Sequence, residues 1–277
     1  MKMKFHKVLA IIMAAVLMIA LFAGCKKDNG TGEETDTYKL SIIGSTSVQA
    51  IAGPLAEAFE DKYPGSSAEV QGGGSTVGVT QATEGAADIG MASRNLKDSE
   101  QGKGLVEHKI AVDGIAIVVH PNNTLTSLTT EQVQNLFSGV ITNWSELGGA
   151  DNPVVVVSRE EGSGTRGAFE EILDLEDMVL QTIVSDSTGA VKATVAGNEN
   201  AIGYISAGSM DSSVKAMVID GVECTTANIK SGVYTVSRPF LMLTLGEPNE
   251  NAKAFLDFVF SKEGQDIIEN EGYVRVD

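Results

Sequence analysis

From residue 39 to the end, short apolar runs alternate with amphipathic stretches. Residues 39–43, 68–71, 88–92, 154–157, 202–205 and 240–245 read as strands bounded by turn residues. Apolar positions at Val48, Ile51, Leu55, Ala58 and Phe59 recur every three or four residues, which predicts a helix over 48–62 that Pro64-Gly65 ends. Shorter helical patterns cover 76–84, 130–137, 166–173 and 190–196, and residues 250–269 give one or two amphipathic helices. The longest β-like run, 109–119, is interrupted at Asp113-Gly114 and stopped by Pro121. Strands alternating with helices predict an α/β architecture with parallel-rich sheets covered on their faces. No internal repeat of fixed period is visible.

The first 37 residues follow a different pattern. A basic start with Lys2, Lys4 and Lys7 precedes an uncharged, largely apolar run over 8–24, as in an export signal. The run ends in Leu21-Phe22-Ala23-Gly24-Cys25, which resembles the bacterial lipobox, with Cys25 as the lipidated residue. An uncleaved membrane helix is the alternative, since the run is at the short end for a span. Residues 1–24 are therefore expected to form a lipoprotein signal peptide, and the polar, acidic stretch over 25–37 a flexible tether. The mature protein would be held at the outer face of the cell membrane. Cys224 is then a lone thiol, expected to be a small core residue.

Composition narrows the function. Among 277 residues, 37 are acidic and 20 basic, a formal charge of −17, so the surface repels nucleic-acid phosphates. The candidate chemistry lies instead in three strand-to-helix junctions rich in glycine and hydroxyls: Gly44-Ser45-Thr46-Ser47, Gly72-Gly73-Gly74-Ser75-Thr76 and Gly162-Ser163-Gly164-Thr165. Such junctions aim backbone N–H groups, hydroxyls and the positive end of a helix dipole in one direction, which suits an anion. Ser and Thr are also ordinary helix caps, so one junction alone says little. Three in an open α/β fold, where ligands sit at strand carboxyl ends, point to a ligand site. Arg159 and Arg166 flank the third junction, Ser93-Arg94 follows the strand ending at Ala92, and Asp113 lies among apolar neighbours, where it needs a partner.

Enzyme templates fail. The chain has no Gly-Lys-Ser/Thr phosphate loop, no Gly-x-Ser-x-Gly elbow around Ser163, and no metal-ligand spacing at His108 or His120. Ser212-Ser213-Val214-Lys215 matches Ser-x-x-Lys without the companion motifs. Trp144 is expected to pack locally.

The Gly-Ser-Thr-Ser start, the Gly72–Thr76 loop, Ala87-Asp88-Ile89-Gly90-Met91-Ala92-Ser93-Arg94, Asn143-Trp144-Ser145-Glu146, the run from Arg159 to Arg166, and Ala201-Ile202-Gly203-Tyr204-Ile205 together resemble the phosphate-binding lipoproteins of bacterial phosphate ABC transporters. The resemblance covers nearly all of the mature chain. It implies a two-lobe, periplasmic-binding-protein-like α/β fold of type II, with two crossover strands and the ligand cleft between lobes. Lobe I would comprise 38–119 plus 237–277, and lobe II 120–236. It further implies that Ser45, Thr46, Ser47, Ser75, Ser93, Arg159, Ser163, Gly164 and Thr165 donate to inorganic phosphate, with Gly74, Thr76 and Arg94 as additional candidates.

Long members of the family carry an aspartate where Arg94 stands, so Asp113 is expected to accept the ligand's proton and to separate phosphate from sulfate. Glu161 is expected to orient Arg159. The implied protein is a monomeric binding protein, not an enzyme, that needs no cofactor or metal and delivers phosphate to the permease subunits. The alternatives are a binder of another tetrahedral oxyanion, a secreted hydrolase using Ser163, and a phosphate-responsive adhesin or sensor.

Overall fold

A computed structural model of the protein describes residues 36–276. The signal segment, Cys25 and most of the tether lie outside the described residues. The elements in chain order are β1 (Lys39–Gly44), α1 (Thr46–Lys62), β2 (Ser67–Gly72), α2 (Ser75–Thr83), β3 (Ile89–Ala92), β4 (Leu105–Val119), β5 (Ser127–Leu128), α3 (Thr130–Ser138), β6 (Val155–Arg159), α4 (Gly164–Ile172), β7 (Ile183–Ser185), α5 (Thr188–Ala196), β8 (Ala201–Ser206), β9 (Lys215–Ala216), β10 (Val218–Ile219), α6 (Thr226–Lys230), β11 (Ser237–Leu245), α7 (Glu250–Phe260), α8 (Lys262–Asn270) and β12 (Val274–Arg275).

The main sheet runs β2-β1-β3-β11-β4-β8-β6-β7. Its two ends are parallel: β1 pairs with β2 and β3, and β6 pairs with β7 and β8. Between them β11 runs antiparallel to both β3 and β4, and β4 antiparallel to β8. Strand β4 changes partner along its length, pairing with β11 through Gly114 and with β8 from Ile115 onward. Each end has its own core. One gathers Ile42, Ile51, Leu55, Phe59 and Phe255; the other gathers Ile117, Phe137, Val157, Phe169, Ile202 and Tyr204, with Phe169 stacked on Tyr204 at 4.1 Å. Trp144 is buried locally, its indole N–H donating to the Asn200 carbonyl.

Several element boundaries differ from the sequence expectation. Strand β4 passes through Asp113-Gly114 without interruption, and Gly114 packs closely: a Cβ there would lie 2.6 Å from Ile229 Cδ1 and 2.9 Å from Cys224 Sγ, so those side chains would have to shift. Cys224 is buried in that core, and burial pushes its thiol up to about 12. Strand β11 starts at Ser237, three residues before its apolar run, and carries a register shift just after Pro239, between Phe240 and Leu241. Helices α1, α4 and α5 each start two residues before the first residue expected from their apolar pattern. Their first turns are polar because hydroxyl residues cap and open them.

Candidate functional site

Four helices begin at one place. Ser45 caps α1 by accepting from the Val48 N–H, Ser163 caps α4 by accepting from Arg166 N–H, and Ser187 caps α5 by accepting from Ala190 N–H. Helix α2 is capped by Gly74, whose φ of 89° is open to glycine and strained for other residues. The first turns meet through hydroxyls. Ser47 Oγ lies 2.9 Å from Thr165 Oγ1 and 2.8 Å from Thr188 Oγ1. Ser45 Oγ lies 2.9 Å from Ser93 Oγ, and the Ser93 N–H donates to Ser75 Oγ at 3.0 Å. Ser45, Ser47, Ser75, Ser93, Ser163, Thr165 and Thr188 are all buried. Gly164 makes this approach possible, since a Cβ there would sit 2.0 Å from Ser75 Oγ, 2.8 Å from Ser75 Cβ and 2.8 Å from Ser93 Oγ.

Two buried guanidinium groups flank the hydroxyls. Arg159, at the end of β6, donates to Thr188 Oγ1 at 3.3 Å and to Thr46 Oγ1 at 3.2 Å. Its Nε and Nη2 form a fork on the two carboxylate oxygens of Glu160, both at 2.8 Å. The Tyr204 hydroxyl accepts from Arg159 backbone N–H, and burial pushes that phenol up to about 12. Arg238, on β11, donates to Ser93 Oγ and Ser93 O, both at 3.3 Å, and to Ser47 Oγ at 3.2 Å. It also grips Asp113 Oδ2 through Nε at 3.2 Å and Nη2 at 3.0 Å. Concentrated donors, positive helix ends and two guanidiniums in a water-poor space can bind an oxyanion. Among the described residues there is no group of three or more His, Cys, Asp or Glu side chains that could hold a metal ion.

The structure thus brings Ser45, Thr46, Ser47, Ser75, Ser93, Arg159, Ser163, Gly164 and Thr165 together, and it corrects five expectations. Asp113 is not free to meet a ligand. Its Oδ1 accepts from Ser206 Oγ at 2.9 Å and Ala207 N–H at 3.1 Å, and its Oδ2 accepts twice from Arg238, which fills the roughly four acceptor positions of a carboxylate. Burial drives the Asp113 carboxyl up, against the pull of Arg238, Ser206 and Ala207. Glu160, not Glu161, orients Arg159; Glu161 is the exposed next residue in the turn.

Arg94 turns away to Glu100, with two bonds of 2.7 and 2.8 Å to its carboxylate. Burial pushes Glu100 up, but Arg94 and the Lys97 N–H outweigh it and hold the carboxyl below its ordinary value. Gly74 gives its N–H to the Gly44 carbonyl, and its missing Cβ lets Gly162 O approach. Thr76 has an exposed side chain and contributes only its backbone N–H, to Gly162 O at 3.1 Å.

Sequence reasoning missed Thr188 and Arg238. Ser187-Thr188-Gly189 is a fourth hydroxyl-and-glycine strand-to-helix junction, the same signal that marked the other three. Arg238 had no such signal, because it sits in a strand whose apolar pattern starts two residues later.

The profile of the PBP superfamily domain matches residues 29–263. The chain is 35% identical to the phosphate-binding protein PstS of Bacillus subtilis (strain 168), over 97% of this chain and 93% of that protein. Among solved structures, a phosphate ABC transporter substrate-binding protein with bound phosphate from Clostridium perfringens is 49% identical, with a TM-score of 0.84 over 86% of this chain and all of that one. An ABC-type phosphate transport receptor from Vibrio cholerae is 39% identical, with a TM-score of 0.72 over 86% of this chain and all of that one.

Proposed function

Because the chain belongs to the PBP superfamily and, within it, to the PstS phosphate-binding proteins, we propose that it is a solute-binding protein that captures inorganic phosphate and hands it to an ABC importer. The observation that carries this reading is the buried meeting of Ser47, Thr165 and Thr188 beside the Arg159 guanidinium. In the structure these hydroxyls bond to one another. An entering tetrahedral anion takes over their protons and receives the positive ends of four helices, of which each lends partial charge. Full burial favours a small anion without an organic substituent.

The proposal includes a hinge. Residues 38–119 plus 237–277 form one lobe and 120–236 the other, and β4 with β11 joins them. Ser45, Ser47, Ser75 and Ser93 then belong to one lobe, and Arg159, Ser163, Thr165 and Thr188 to the other, so closure assembles the site. The protein acts as a monomer and without catalysis; the Ser163 hydroxyl serves to cap α4 by accepting from the Arg166 N–H. Cys25 carries the lipid that keeps it at the outer face of the membrane, with the permease subunits as partners. Intact mass of the membrane fraction reports the lipid.

Native mass spectrometry and calorimetric titration with inorganic phosphate test the function. One phosphate per chain is the expected result. A protein that binds sulfate or another tetrahedral anion more tightly sinks the phosphate assignment, and cleavage of a chromogenic ester that is lost in Ser163→Ala sinks the binding-protein reading.

A further inference from the structure

A serine or threonine hydroxyl has one hydrogen to give, and whatever donates to its oxygen leaves that hydrogen to point elsewhere. In the cluster described above, each guanidinium donates to two hydroxyls: Arg159 to Thr46 and Thr188, Arg238 to Ser47 and Ser93. Ser47 and Ser93 are also the hydroxyls at which the cluster branches: Ser47 Oγ lies within bonding distance of Thr165 and Thr188, and Ser93 Oγ accepts from Ser45 and lies 3.4 Å from Ser75 Oγ.

Arg238 occupies a particular place in the fold. It stands directly opposite Asp113 in the register of β11 and β4, one residue before β4 passes from β11 to β8. Asp113 is held in turn by Ser206, the last residue of β8, and by Ala207. The pair therefore sits where the two halves of the sheet join, with its guanidinium reaching the hydroxyls at the start of α1 and the end of β3. Both members are fully enclosed, with side-chain exposure of 1% for Arg238 and 0% for Asp113.

We propose that Arg238 is a positioning residue for the anion: by donating to Ser47 and Ser93 it makes these hydroxyls obligate donors, and Asp113 is its counter-ion rather than a ligand group. The inference rests on the oxyanion reading above. Its consequence is a preference for charge state. Hydroxyls locked as donors meet a deprotonated oxygen favourably and a protonated one badly, so of the two species at neutral pH the site prefers the dianion, which has one protonated oxygen to place, over the monoanion, which has two. Polarised chains of this kind also donate more strongly, because each bond strengthens the next.

The charged and titratable groups that face Arg238 are Asp113 on β4, Arg159 at the end of β6 and Tyr273 just before β12. Burial holds the Tyr273 phenol up at about 12, and guanidinium groups stay charged in proteins. Asp113 is the remaining group that could titrate, and a variant without it separates its proton from the ligand's.

The experiment is calorimetric titration with inorganic phosphate at about pH 6 and about pH 8, on wild type, Asp113→Asn, and the paired variant Arg238→Met with Asp113→Leu. Removing a buried pair as a unit leaves no orphaned charge and is tolerated in other proteins, so the paired variant is expected to melt cooperatively. Wild type and Asp113→Asn should both bind phosphate more tightly at the higher pH, as the ligand becomes a dianion. The paired variant should lose roughly 30- to 100-fold at the higher pH, the scale of charge-assisted bonds removed from a buried site, and should show no rise with pH.

The proposal is overturned if the paired variant keeps wild-type affinity or keeps the rise. It is equally overturned if Asp113→Asn abolishes the rise, which would make Asp113 the titrating group. Should the paired variant not melt cooperatively, Ser47→Ala and Ser93→Ala take its place; each should weaken binding about tenfold and blunt the rise, and a wild-type profile in both overturns the proposal. Wild type that binds no phosphate overturns the function itself, a result distinct from all of these.

Discussion

Gly164→Ala isolates closure from everything else at the site. The backbone there is ordinary, since Gly164 is not among the glycines with positive φ, and it is the first residue of α4, where alanine is a better helix former than glycine. The only objection to a methyl group is space. The added Cβ would lie 2.8 Å from Ser75 Cβ, an atom that no rotamer change can move, and 2.0 Å from Ser75 Oγ. Restoring van der Waals distance requires the α4 and α2 termini to separate by about 1 Å, given carbon contacts near 3.5–4 Å. That separation breaks or stretches the Thr76 N–H to Gly162 O bond at 3.1 Å and the Ser47–Thr165 contact at 2.9 Å.

At about 1 kcal/mol for each ordinary bond, and more for those made to a charged ligand, the loss comes to roughly 2–4 kcal/mol, or about 30- to 1000-fold in affinity. Calorimetric titration with phosphate measures it, and the melting temperature of ligand-free protein serves as control. The expected pattern is weak binding in a protein whose ligand-free melting temperature is unchanged or slightly raised. Affinity within threefold of wild type would show that the contact between these termini is not needed for binding, and the closure argument would fail.

Two further outcomes follow from the ion pairs. Glu160→Gln should weaken phosphate binding about tenfold by loosening the Arg159 fork, whereas Glu161→Gln should leave it unchanged; titration of both variants decides which glutamate orients the arginine. Glu100, held below its ordinary value of 4.5 by Arg94 and Lys97, contributes stability that is present above that value and lost as pH falls through its lower folded-state value. Acid melts of Glu100→Gln should therefore show a shallower loss of stability below about pH 4.5 than wild type, and parallel curves would refute the assignment.

The architecture was legible because its signals are local. Apolar stripes gave α1 and the tail helices, and the alternation of strand and helix gave the α/β class. Helix starts came out late for α1, α4 and α5 because their opening residues are hydroxyl or glycine, and apolar periodicity cannot register them. Those same residues are the site, so the pattern that misplaced the helix starts is the pattern that marks the function. Arg238 and the role of Asp113 were illegible for a different reason. Both depend on cross-strand register between β4 and β11, residues 125 positions apart in sequence, and a single chain carries no local trace of that pairing. Glu161 was expected in the role that Glu160 fills because neighbouring turn residues differ only in the direction the turn sends them.

The pairing of each guanidinium with its own carboxylate explains how a chain of formal charge −17 can enclose an anion. Two buried arginines without partners would repel one another and hold the site open, whereas Asp113 and Glu160 give each its own counter-charge. The attraction left for a ligand then comes from oriented hydroxyls and helix ends, dipoles that act over a few ångströms. Surface carboxylates farther away than about 8 Å are screened at physiological salt and scarcely oppose it. Affinity should accordingly depend on the geometry of closure more than on ionic strength, with the acidic surface acting chiefly on the rate of encounter.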